Sequence, residues 1–228
     1  MMNVCKEDNT LPRNKYPEET VEKILDASLK LFFEKGYEQT TVLDIVNNLG
    51  GLTRGAFYHH FKSKEEVLYA IFKKDDNLIN SIFEKVRNAQ VSNGLERLKY
   101  ALKLSRGAGL ENESRFNVMS VSHSLLSSPR FLSEHIKDTH VAVKFIQPII
   151  EEGMADGSIK QGNPKIIAEL LMLLSNIWLL PNIFPNDSKD EMAEKINIIG
   201  DIFKGLGCDF LDDEICDNAI ESINKLKI

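Results

Sequence analysis

From Val21 to the end of the chain, apolar residues return every three or four positions, and no segment alternates apolar with polar as a half-buried strand does. That period admits an all-α fold and little else. Pro17, Glu18 and Glu19 suit a first helical turn; Val21, Ile24, Leu25, Leu31 and Phe32 follow on one stripe, and Gly36 reads as a stop. Thr41 and Asp44 have capping-box spacing and open a brief helix that ends at Gly50-Gly51, and Thr53 to His60 reads as a second short helix. Ser63 with Glu66 repeats the box ahead of a long pattern through Val86. Beyond Gly94, helices are expected at about 95–105, 113–127, 130–153, 164–181, 189–205 and 213–226, punctuated by Pro129, Gly153, Gly157, Pro164, Pro181 and Gly207.

The 228 residues carry 28 basic and 34 acidic side chains, a formal charge of -6, which taken alone argues against a nucleic-acid binder. The distribution argues otherwise. The whole acidic excess lies after residue 74, and between Asp44 and Glu65 there is no acid at all while Arg54, Lys62 and Lys64 give a local charge of +3. Cys5, Cys208 and Cys216 form no C-x-x-C pair, so neither a disulfide framework nor a zinc site is expected. Lys6, Glu7 and Asp8 stand where an export signal would need an apolar core. The most apolar run, Ile166 to Leu180, reaches only about 22 Å as a helix against a hydrocarbon core of about 30 Å, and a buried helix is expected rather than a membrane span. The expected location is cytoplasmic.

Two short helices joined by a tight glycine turn can lay the second helix in the major groove of DNA, where every base pair shows its own hydrogen-bond pattern. The turn here is Asn48-Leu49-Gly50-Gly51-Leu52, followed by Thr53-Arg54-Gly55-Ala56-Phe57-Tyr58-His59-His60-Phe61. Gly55 and Ala56 are small enough for close approach to base edges. Arg54 can fork onto guanine, and Tyr58, His59 and the start of the next helix near Lys64 can reach phosphates.

Over approximately Val21 to Phe72 the sequence resembles the tetracycline-repressor (TetR) family of bacterial one-component regulators. The matching residues are Phe32-Phe33, Gly36-Tyr37, Thr40-Thr41, Asp44-Ile45-Val46, Thr53 to Ala56, Phe57 to Phe61 and Lys62 to Glu66. The resemblance implies an N-terminal three-helix helix-turn-helix domain, a variable helical ligand domain and a homodimer formed by the last long helices. The corresponding expectation is an N-terminal arm over 1–16, expected to be flexible, a DNA-binding domain over 17–64 and an effector-binding and dimerisation domain over 65–228. The DNA-contacting set it implies is Thr40, Thr41, Thr53, Arg54, Gly55, Ala56, Tyr58, His59, Lys62 and Lys64. Thr41 would cap the first helix of the reading unit and touch phosphate, Thr53 to Ala56 would face bases, and Tyr58, His59 and Lys64 would grip the backbone. His60 and Phe61 would pack the turn into the fourth helix. The family usually has one residue fewer between the positions of Ile45 and Tyr58, and Gly50-Gly51 absorbs the insertion.

In the C-terminal half, Met192, Ile196, Ile199, Phe203 and Leu206 step by four, three, four and three, as a helix–helix seam requires. With Leu173 and Ile177 of the apolar run, Met192, Ile196, Ile199 and Phe203 are the expected dimer interface. Phe116, Met119, His123, Phe145 and Trp178 are the candidate lining of an apolar effector cavity. His123, His135 and His140 lack the spacing that puts two ligands on one helix face, and no nucleophile elbow, metalloprotease, P-loop or dinucleotide signature is present, so no enzyme, metal or cofactor is expected. The long helix from Ser63 to about Val86 spans about 36 Å and offers a lever between DNA head and effector domain. The functional expectation is a repressor released from a palindromic double-stranded operator by a small, largely apolar effector. The alternative is a family member that activates or answers to a protein partner.

Overall fold

The computed structural model describes residues 17–111, 113–126, 129–180, 183–184 and 188–225; the expected N-terminal arm lies outside them. Every regular element among the described residues is helical. The chain divides into two compact units, one up to Ala70 and one from Ile71.

The first unit is built on α1 (Pro17–Lys35), α2 (Val42–Asn48), α3 (Arg54–His60) and the start of α4 (Lys64–Asn88). Ile24, Leu25, Leu29 and Phe32 turn inward from α1, and Gly36 ends that helix with φ of 89°, a backbone conformation that glycine takes without the strain a side chain would bring. The Phe32 ring meets Tyr37 edge-on at 5.1 Å, which fixes the corner into α2. Ile45 and Val46 from α2, Phe57 from α3, Phe61 beyond it and Val67 and Leu68 from α4 are all buried in this unit. Among the described residues a single buried side-chain nitrogen or oxygen lacks a partner, the Ser28 hydroxyl on the inner face of α1.

The second unit takes the remainder of α4 and adds α5 (Gly94–Glu111), α6 (Glu113–Ser124), α7 (Pro129–Asp156), α8 (Pro164–Leu173), α9 (Lys189–Gly205) and α10 (Asp213–Lys225). Helix α5 outruns the expected end near 105, because Gly107 and Gly109 each cost about 1 kcal/mol in a helix without breaking it as proline would. Asn163 caps α8 by accepting from the Ile166 amide, with Pro164 in the first turn. The apolar run does not stay α-helical to Leu180. Residues Leu174–Trp178 widen into a π turn, closed by Leu179 N–H on the Leu174 carbonyl at 3.3 Å. Gly94 lies so close to Gly153 that a Cβ on it would collide with the Gly153 backbone, which lets the start of α5 dock against the end of α7. Leu98, Ile150, Leu171, Phe203 and Cys208 belong to one core, and burial pushes the Cys208 thiol up to about 11, the behaviour of a small apolar residue. No described helix is long and apolar enough to cross a membrane.

Candidate nucleic-acid interface

Helix α3 is short and would not hold its place by propensity; it is held by one fully buried ring. Phe57 is 0% exposed, with Tyr58 edge-on to it at 5.5 Å and Phe61 tilted against it at 6.2 Å. With that face committed inward, Arg54, Gly55, Tyr58 and His59 are left on the outside and Ala56 half-exposed. Tyr58 is 47% exposed, a large aromatic surface with a hydroxyl at its tip. Thr53 stands at the N-cap, its Oγ1 accepting from the Ala56 amide at 3.1 Å. A Cβ on Gly55 would meet only Thr53 Oγ1, at 3.8 Å, so the surface there is open for a base edge.

The turn into α3 holds two adjacent glycines. Gly50 and Gly51 adopt φ of 46° and 113°, two successive backbone states that L side chains rarely take, and both sites are open to solvent. Upstream, Thr41 caps α2 through a full capping box with Asp44. Asp44 Oδ2 accepts from Lys35 Nζ at 2.8 Å, from the Thr41 amide at 2.8 Å and from the Thr41 hydroxyl at 2.7 Å. The Lys35 ammonium foremost, then the two Thr41 donors, hold the Asp44 carboxyl well below the usual carboxylate range. The Thr41 hydroxyl proton is therefore spent on Asp44, and the expected hydroxyl-to-phosphate bond has no donor in this arrangement.

Two residues expected on DNA are turned inward. Thr40 is 1% exposed, and its hydroxyl donates to the Gly36 carbonyl at 2.8 Å, so it pins the α1–α2 corner rather than meeting a ligand. Lys64 Nζ donates to the carbonyls of Tyr37 at 2.8 Å, Glu38 at 3.2 Å and Thr40 at 3.1 Å and lies 4.4 Å above the Tyr37 ring centre. An ammonium has three N–H donors, and all three are occupied. Lys62 remains exposed, its backbone amide donating to the Glu66 carboxylate while Ser63 accepts from the Glu66 amide, a capping arrangement shifted by one residue from the expected box. The face that can meet DNA thus gathers Thr53, Arg54, Gly55, Ala56, Tyr58, His59 and Lys62, without Thr40 and Lys64.

The expected dimer residues divide as well. Met192, Ile196, Ile199 and Phe203 are buried within the chain itself, Phe203 completely, because this stripe of α9 packs into the core shared with α8 and α10. They cannot also form the surface of an interface, which corrects that expectation. Leu173 is 52% exposed and Ile177 half-exposed. The apolar surface of α9 is a second stripe, Ile198, Ile202 and, just past the helix end, Leu206, spaced by four residues and legible in the sequence as a helical period of its own.

Of the expected effector residues, the side chains of Phe116, Met119 and His123 lie outside those described. Phe145 is stacked on Phe83 with ring centres 3.8 Å apart, and Trp178 sits half-buried on the π turn with the Lys195 ammonium 5.9 Å from its ring centre. The structure does not bring these two rings together in any described contact. His135 Nε2 lies 2.9 Å from the Asn176 carbonyl of the π turn, so the imidazole donates there. Among the described residues no three potential metal ligands converge.

Residues 24–71 match the family of bacterial regulatory proteins, tetR family. The chain is 27% identical over 178 residues, 78% of its length and 90% of the other's, to the fatty acid metabolism regulator protein of Bacillus subtilis (strain 168). It is 28% identical over 139 residues, 59% of its length and 66% of the other's, to the HTH-type transcriptional repressor KstR2 of Mycobacterium tuberculosis. The fold is shared with the crystal structure of a gamma-butyrolactone receptor, an ArpA-like protein, at a TM-score of 0.60 and 17% identity, covering 92% of this chain and 98% of that one. With a capped, aromatic-anchored reading helix inside the matched segment, and with regulators among its relatives, the chain is a DNA-binding transcriptional regulator, not an enzyme, whose residues 24–71 form a DNA-binding domain like that of the tetR family.

Proposed function

We propose that this protein is a cytoplasmic homodimeric repressor that leaves a two-fold symmetric operator when a small, largely apolar effector binds its second unit. The observation that carries the reading is the sidedness of α3, with Phe57 wholly buried and Arg54, Gly55, Tyr58 and His59 presented outward. Repression is supported by the name of the KstR2 relative, and an apolar small effector by the names of the fatty acid metabolism regulator and the gamma-butyrolactone receptor. A symmetric operator needs two reading heads, and the exposed Ile166 and Leu173 of α8 with Ile198, Ile202 and Leu206 of α9 supply the apolar surface on which two copies would join.

Release by an effector is a coupling of two binding equilibria, so it must act in both directions with one factor. Trp178 is the only tryptophan in the sequence and reports on the second unit. Titration of the protein with fatty acids and lactones of graded chain length is expected to change its fluorescence, and saturating operator DNA is expected to shift that titration to higher effector concentration. Equal effector affinity with and without operator would overturn the repressor-release reading.

A further inference from the structure

We infer that Lys64 is a positioning residue for DNA reading: from the first residue of α4 its ammonium closes the helix-turn-helix into a loop by binding the chain just before α2. The inference rests on the reading of this protein as an operator-binding regulator. The three carbonyls that receive Lys64, those of Tyr37, Glu38 and Thr40, precede α2, and the nearest in sequence, Thr40, is 24 residues away. The face proposed to meet DNA, from Thr53 to Lys62, lies inside that span.

The placement is otherwise costly. Lys64 is the first residue of α4, where the helix dipole disfavours a cation, and Glu65 and Glu66 follow it as the dipole would prefer. The ammonium recovers that cost from the carbonyls of Tyr37, Glu38 and Thr40 at the α1–α2 corner and from the face of the Tyr37 ring. Tyr37 is itself buried against Phe32, and Thr40 is pinned to the Gly36 carbonyl, so the receiving corner is rigid. Closing a loop of this length removes states in which α2 and α3 drift apart, and a clip of this kind raises the fraction of molecules able to bind in register.

A lysine on phosphate and a lysine in a clip differ in what their loss does. Loss of a phosphate contact weakens operator and random DNA alike and lowers the salt slope by about one unit. Loss of a clip lowers only the competent fraction, so specific binding falls and the sequence-independent attraction persists. The test compares full-length wild type, Lys64→Met and Lys64→Arg at a temperature well below unfolding. Each is titrated across a salt series with a duplex that the wild-type protein selects from a random library and with a random duplex of equal length, and amide exchange is followed across α2 and α3. The expected result for Lys64→Met is an operator affinity lower by about tenfold, an unchanged random-duplex affinity and salt slope, and faster exchange of the Ile45, Val46 and Phe57 amides relative to Leu29. Lys64→Arg keeps the charge but its planar fork cannot converge on three carbonyls, so operator binding is expected to fall here too. A wild-type operator affinity in Lys64→Arg, a parallel loss on both duplexes with a reduced slope in Lys64→Met, or unchanged exchange would each overturn the inference. Should wild type prefer no operator over random DNA, the regulatory reading fails by itself, and the exchange data alone still decide whether Lys64 closes the loop.

Discussion

Arg54 and Lys64 are both cations in the acid-free window, yet one is exposed at the first turn of α3 and the other is held by three carbonyls. Charge alone could not separate them; the difference arises because the side chain at the start of α4 faces the back of the α1–α2 corner. Thr40 and Thr41 show the same limit, adjacent hydroxyls of which one is buried on Gly36 and the other caps α2. The caps at Thr41 and Ser63 were legible, since each stands three residues before an acid as a capping box demands, whereas Thr53, expected as the first residue of its helix, stands one place outside it as the cap. Asp44 makes a residue-scale prediction. Its folded carboxyl titrates below its ordinary value of 3.8, so as pH falls past that value the unfolded chain takes up a proton that the folded chain refuses. The stabilisation is therefore present above about pH 4 and is lost on acidification. Denaturation of wild type and Lys35→Met between pH 5 and pH 3 is expected to show a shallower acid-side loss in the variant, and identical slopes would exclude the Lys35 contact as the main cause.

At the scale of elements, periodicity located the α-helices among the described residues, apart from the late end of α5 and the early end of α8, and said much less about which stripe each would bury. On α9 the residues Met192 to Phe203 and the residues Ile198 to Leu206 both satisfy helical spacing. Choosing between an inner and an outer seam requires the positions of α8 and α10, which no local pattern contains. The π turn at Leu174–Trp178 was hidden for the same reason, as an apolar run reads alike whether its amides bond four or five residues back. The two faces of α9 now separate by experiment. Phe203→Asp buries a charge in the core and is expected to cost about 3–5 kcal/mol, lowering the melting temperature sharply. Ile202→Asp, one residue away on the exposed stripe, is expected to leave helical content and melting of the chain intact while light scattering shows a monomer. A folded Ile202→Asp dimer would remove α9's outer stripe from the interface.

For the whole molecule, an acidic chain with one small basic face is suited to touching DNA through that face and little else. Long-range steering is weak in such a protein, and on the proposed reading its operator preference comes from contacts that α3 makes, chiefly Arg54. An arginine forked onto guanine is worth about 1–3 kcal/mol of base discrimination. The most direct measurement is the sequencing of duplexes selected from a random library by the purified full-length protein, run in parallel with Arg54→Ala. Wild type is expected to enrich an inverted repeat whose half-sites are centred about one helical turn, or a multiple of it, apart, with a guanine position that Arg54→Ala flattens. Enrichment of no motif, or of a motif without two-fold symmetry that Arg54→Ala leaves unchanged, would contradict a symmetric regulator reading DNA through α3.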